Sequence, residues 1–97
     1  MNDTIDINYI KEKSLPELRK AGVLKSSLFG SFARGEAHQE SDIDILVEFP
    51  ENKSLFDLIE LKQALEASLG RKTDVITYRS LSHLLRESVL REQIPLL

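Results

Sequence analysis

Residues 42–50 read Asp-Ile-Asp-Ile-Leu-Val-Glu-Phe-Pro. In an extended chain Ile43, Ile45, Val47 and Phe49 fall on one side and Asp42, Asp44, Leu46 and Glu48 on the other, the period of a strand with one face in a core. Pro50 closes the run. Such a strand commits the chain to a sheet, and the helical patterns around it commit that sheet to a helical cover. Aspartate is depleted in strands because its side chain competes for backbone hydrogen bonds and adds nothing to a packed surface. Two of them at a strand's mouth point to a use other than folding.

The neighbouring segments supply the rest of an α/β chain. Residues 6–21 carry a helical pattern with an expected restart near Ser14, where Ser14-x-x-Glu17 fits a capping box and Pro16 a first turn. Gly22 is the expected stop. Residues 23–30 form a short strand running into Gly30-Ser31, and residues 31–35 open a short helix with Gly35 as its C-cap. Ser54-x-x-Asp57 starts a longer helix whose stripe is Leu55, Leu58, Ile59, Leu61, Leu65 and Leu69, ended by Gly70. Residues 73–78 are a third strand. A last helix follows, with Leu81, Leu84, Leu85 and Val89 expected in the core. The order α-β-α-β-α-β-α predicts an α/β fold: one domain over residues 1–97, a small mixed sheet and helices mainly on one face. The first two strands are expected to run antiparallel.

Composition narrows the chemistry. With 13 Lys and Arg against 16 Asp and Glu, the formal net charge is −3. That balance argues against a non-specific grip on nucleic acid, which needs a cationic face to release counterions. There is no cysteine, so disulfides and thiolate metal sites are excluded. No apolar run approaches the ~18 residues of a membrane span, and the polar N-terminus is unlike a secretory leader. The expected location is the cytoplasm.

Residues two apart on a strand point the same way, so Asp42 and Asp44 present two carboxylates together. Like charges at that spacing raise each other's pKa unless a cation neutralises them. Oxygen donors of this kind suit Mg²⁺ or Mn²⁺, which are commonly held by one or two carboxylates plus substrate phosphates. Asp74, at the start of the third strand, joins the pair if the second and third strands are parallel neighbours. Three such groups suit two metal ions in phosphoryl transfer. Gly30-Ser31, between a strand end and a helix start, offers free N–H groups, close backbone approach and a hydroxyl to a phosphate. The P-loop, the dinucleotide fingerprint and the EF-hand loop all fail on the residues present.

Gly30-Ser31, then Asp42-x-Asp44 within "GSFARGE" and "SDIDILV", resembles the DNA polymerase β-type nucleotidyltransferase superfamily, and the chain over residues 7–94 resembles its minimal branch. The resemblance implies a palm-like nucleotidyltransferase fold. It implies that Asp42 and Asp44 hold two Mg²⁺ ions, that Asp74 holds the catalytic one and helps activate the acceptor hydroxyl, and that Gly30, Ser31 and Arg34 receive the triphosphate of ATP. It further implies transfer of AMP to a hydroxyl, as in minimal members that adenylylate a tyrosine of a HEPN-domain toxin and so act as antitoxins. The alternative carried with it is an antitoxin or assembly subunit that neutralises its partner by occlusion. Lys53, Lys72 and Arg79 are additional cations that no motif assigns. Leu90, Ile94, Leu96 and Leu97 add apolar area at the chain end, where an uncovered patch would serve, with the last helix, as a partner surface.

Overall fold

The computed structural model describes residues 6–38 and 40–97. Four strands form one mixed sheet in the order β3-β2-β1-β4. The first helix, α1 (Ile7–Lys20), is capped by Asp6, whose carboxylate accepts the Tyr9 N–H at 2.8 Å. It runs unbroken through the expected restart. Ser14 is fully buried and donates to the Ile10 carbonyl at 2.6 Å, so its hydroxyl is spent inside the helix rather than capping a new one. Ala21 and Gly22 (φ 79°) end the helix and turn the chain into β1 (Lys25–Phe29).

β1 pairs antiparallel with β2 (Ile43–Glu48), with Phe29 opposite Asp44, as the sequence predicts. Between them lie the short helix α2 (Gly30–Arg34), ended by Gly35 at φ 73°, and a loop. Asp42 and Phe49 sit just outside β2. Helix α3 (Leu55–Leu69) starts where Ser54 donates its backbone N–H to the Asp57 carboxylate at 2.7 Å, and Gly70 ends it at φ 66°. It returns the chain to β3 (Thr73–Thr77), which is parallel to β2 with Asp74 opposite Asp44. A 3₁₀ turn (Tyr78–Ser80) leads to α4 (His83–Glu92) and then to β4 (Ile94–Pro95), a fourth strand that sequence analysis did not anticipate. β4 pairs antiparallel with β1.

One face of the sheet carries the core. Ile43, Ile45 and Val47 of β2 and Leu28 of β1 are fully buried with Ile10 and Leu18 of α1 and Leu61, Leu65 and Leu69 of α3. The stripe of α3 is narrower than expected, since Leu55 is 69% and Ile59 44% exposed. Two expectations at the C-terminus are exchanged. Leu84 and Leu85, assigned to the core, are 91% and 56% exposed, and α4 buries no residue. The apolar tail, read as an uncovered patch, instead folds in: Leu96 is 3% exposed, and Ile94 and Leu97 pack on the core beside it. Pairing with β1 supplies the reason, because the Leu96 N–H bonds to the Ser26 carbonyl at 2.9 Å and the Ser26 N–H to the Leu97 carbonyl at 3.2 Å. Among the described residues no helix is long and apolar enough to cross a membrane.

Candidate active site

The alternation of β2 puts Asp44 on the face opposite the core, and the parallel register puts Asp74 beside it. Burial, then the charge of Asp74, then that of Asp42, push the Asp44 carboxyl up to about 6. A divalent cation bound here would reverse the shift of Asp44, because its charge removes the repulsion. The oxygen-only donor set fits a hard ion.

Asp42 stands one step off. It precedes the strand, and its carboxylate lies 3.8 Å from the Lys72 ammonium. Among the described residues no three acidic or imidazole side chains already stand as a metal-binding cluster. The structure thus brings Asp44 and Asp74 together and holds Asp42 at the margin, against an internal cation. Arg71 fixes the loop that delivers Asp42. Its guanidinium donates to the Ser41 carbonyl at 2.9 Å and lies over the Phe32 ring at 5.6 Å, while the His38 N–H is held by Ser41 Oγ at 2.8 Å.

Gly30 is required twice over. Its φ is 75°, a backbone region that L side chains rarely adopt, and a Cβ there would collide with the Asp44 carboxylate. The start of α2 therefore lies directly against Asp44, with Asp74 on the next strand beyond it. Arg34, at the other end of α2, pairs with Glu36 at 3.0 Å and Glu92 at 3.7 Å. The hydrogen bond that Arg34 donates to Glu36, with the charges of both glutamates, raises its pKa. Arg34 is close enough to Asp44 to oppose the upward shift of that carboxyl.

Tyr78 does more than pack. Its hydroxyl donates to Ser27 Oγ at 2.8 Å and lies 3.3 Å from Gln93 Oε1, so the side chain reaches from the end of β3 across β2 to β1. Burial of the phenol raises its pKa. Neither this bridge nor the Arg71 clamp has a local signal, since the partners lie 51 and 30 residues apart in the chain. Lys53 and Arg79 are far from the carboxylates: they line a concavity of about 480 Å³ at the carboxyl ends of β2 and β3.

A mixed sheet with Asp44 and Asp74 opposed on the face away from the main core, and a glycine turn against Asp44, is a layout suited to handling phosphates. The nucleotidyltransferase domain model matches residues 10–96. A Methanocaldococcus jannaschii protein provisionally named a protein adenylyltransferase is 52% identical over 93 residues, covering 96% of this chain and 100% of its own. The protein adenylyltransferase MntA of Thermococcus cleftensis is 47% identical over 79 residues, 80% of each chain. Among solved structures, one described as a minimal nucleotidyltransferase superposes with a TM-score of 0.83 at 41% identity, over 97% of this chain and 99% of that one. A tri-AMPylated Shewanella oneidensis HEPN toxin in complex with its MNT antitoxin matches with a TM-score of 0.72 at 26% identity, over 93% of this chain and 71% of that one. The chain belongs to the nucleotidyltransferase domain family, in its minimal branch, and is a nucleotidyltransferase.

Proposed function

We propose that this chain, as a single domain over residues 1–97, transfers AMP from ATP to a tyrosine hydroxyl of a HEPN-type toxin and acts in the cytoplasm as its antitoxin. The observation that carries the reading is the opposition of Asp44 and Asp74 across β2 and β3, with Gly30 directly against Asp44. The relatives named protein adenylyltransferase, and the AMPylated HEPN toxin bound to an MNT antitoxin, support the choice of group and acceptor.

Asp42, Asp44 and Asp74 would hold Mg²⁺, two ions in the full site. Bound there, Mg²⁺ supplies neutralisation of the triphosphate and polarisation of the α-phosphate. Gly30 and Ser31 receive the β- and γ-phosphates through backbone N–H groups and the Ser31 hydroxyl, and Arg34 exchanges its glutamate partners for phosphate oxygens. Asp74 accepts the proton of the acceptor hydroxyl as its oxygen attacks the α-phosphorus. The bond from that phosphorus to the bridging oxygen breaks, and pyrophosphate leaves. In this reading α4, with Leu84 and Leu85 turned to solvent, is the docking face for the partner.

Incubation with α-³²P-ATP, Mg²⁺ and the HEPN-domain protein of the same genome tests the proposal. Label is expected on a partner tyrosine, and none with Asp44→Asn. Transfer that survives Asp44→Asn, or the absence of label with the wild type, overturns it. The exposed face of α4 also favours occlusion as a second route to antitoxin action. Protection of cells by the Asp42→Asn/Asp44→Asn double variant would establish that route.

A further inference from the structure

The two edges of the sheet are finished differently. β4 is two residues long, and one of them is Pro95, which has no N–H to offer a further strand. β3, on the opposite edge, is five residues long and contains no proline. The Ile43 N–H bonds to the Lys72 carbonyl at 3.0 Å, which sets the phase of the parallel ladder. In that phase the backbone groups of Asp74 and Ile76 face β2, and those of Thr73, Val75 and Thr77 face outward.

The first outward donor is already used, since the Thr73 N–H is held by Glu66 Oε2 at 3.0 Å. That bond is the leading reason the Glu66 pKa is lowered. Beyond it, the Val75 N–H and C=O and the Thr77 N–H meet no partner among the described residues. An open edge of this kind is a template for another extended chain. Asp74 lies in the same strand, one residue before the first free pair, with its side chain on the open face beside Asp44.

We infer that the outer edge of β3 binds an extended segment of the acceptor protein by strand addition, and that this pairing brings the acceptor hydroxyl to the Asp74 side of the site. The inference rests on the reading of the acceptor as a protein. The occupant follows from the chemistry of the edge: alternating backbone donors and acceptors recognise another backbone, and a paired strand lies ~4.8 Å away with every second side chain on the face that carries Asp74. Glu66 marks where pairing begins, so the register is set from Val75 onward. Past Thr77 the edge runs into the concavity lined by Lys53 and Arg79. Neither cation makes an ion pair with any of the described residues, so an acidic side chain of the incoming segment would be matched there.

Thr77 allows a clean test. Its φ of −83° is close to what proline requires, and its N–H faces outward, so Thr77→Pro removes the donor without breaking the ladder to β2. Thr77→Ala removes the side-chain contacts to Ser80 but keeps the N–H. With the full chain and the HEPN-domain protein of the same genome, Thr77→Pro is expected to weaken complex formation at least ~10-fold and Thr77→Ala less than ~3-fold, both retaining ATP binding. In the wild-type complex, amide exchange at Val75 and Thr77 is expected to slow at least ~10-fold relative to the free chain. Equal binding by Thr77→Pro and wild type, an equal loss in both variants, or unchanged exchange at Val75 in a formed complex overturns the inference. Label transfer that persists in Asp44→Asn would instead overturn the assigned chemistry, whatever happens at the edge.

Discussion

The two faces of β2 are built to opposite rules. On one, Ile43, Ile45 and Val47 are fully buried against α1 and α3. On the other, Asp44 faces Asp74 and is held near pKa 6 by burial and by its acidic neighbours. A strand can carry both because successive side chains point in opposite directions, so repulsion on one face does not disturb packing on the other. Core packing and the acidic pair thus share one backbone, although Leu46, on the same face as Asp44, is also fully buried. Substitutions on the two faces are accordingly expected to separate folding from transfer.

The largest effect belongs to the open face. Asp44→Asn is expected to cut label transfer by ~10³-fold or more, as losing several kcal/mol of charge stabilisation at the reacting phosphate implies. Its urea unfolding midpoint should stay at or above the wild-type value. A lower midpoint would show that the carboxylate is needed for folding and would break the separation of the faces.

Ile45→Ala tests the other side. Removing a fully buried branched side chain in mid-strand should cost ~2–5 kcal/mol, read from the same unfolding curves. Transfer per folded molecule should be nearly unchanged. Gly30 is where the two rules meet: Gly30→Ala places a side chain in left-handed backbone and against the Asp44 carboxylate. The backbone strain alone should cost ~1–3 kcal/mol, and transfer should fall as well. Loss of both, in one variant, sharpens the boundary between the faces.

The proton linkage of Asp44 gives a smaller and more specific signal. Its carboxyl is raised in the folded chain to about 6 from 3.8, so the folded state binds the proton more tightly than the unfolded one. The stability this contributes is complete below about pH 4 and is lost as pH rises through about 6. For a partly exposed group the change is on the order of 1 kcal/mol after solvent screening. The difference in unfolding free energy between wild type and Asp44→Asn, without divalent ions, should therefore grow in favour of the variant from pH 4 to pH 7. A flat difference would mean that Asp44 titrates normally.

Elements governed by local rules were legible in the sequence. The alternation of β2, the Ser54–Asp57 start of α3, the glycine stops at positions 22, 35 and 70, and the antiparallel first pair all appear as predicted. What depended on contacts made at long range was not. The restart at Ser14 satisfied every local criterion for a cap, yet the hydroxyl bonds backward within the helix. The C-terminal tail carried an apolar pattern equally suited to a core or an interface, and only pairing with β1 decides for the core. α4 has helical periodicity whether or not anything covers it. At the candidate site, spacing singled out candidate residues but not their surroundings: that Asp42 leans on Lys72, and that Arg34 is shared between Glu36 and Glu92, are consequences of the folded arrangement.

The smallest expected effect on the free chain comes from α4. Leu84 is 91% exposed, so Leu84→Ser removes almost no buried area and should change stability by less than ~0.5 kcal/mol. Leu96→Ser, a few residues on, removes a core side chain that is 3% exposed, and it should destabilise the chain by ~2 kcal/mol or more, since it also buries a hydroxyl. If α4 is where the partner docks, the order reverses in a binding assay. Leu84→Ser then weakens the complex several-fold by surface plasmon resonance, whereas Leu96→Ser binds normally at temperatures where it is folded. Equal affinity for Leu84→Ser and wild type would remove α4 from the interface. The open edge of β3 would then have to carry the contact without α4, alone or with the exposed start of α3.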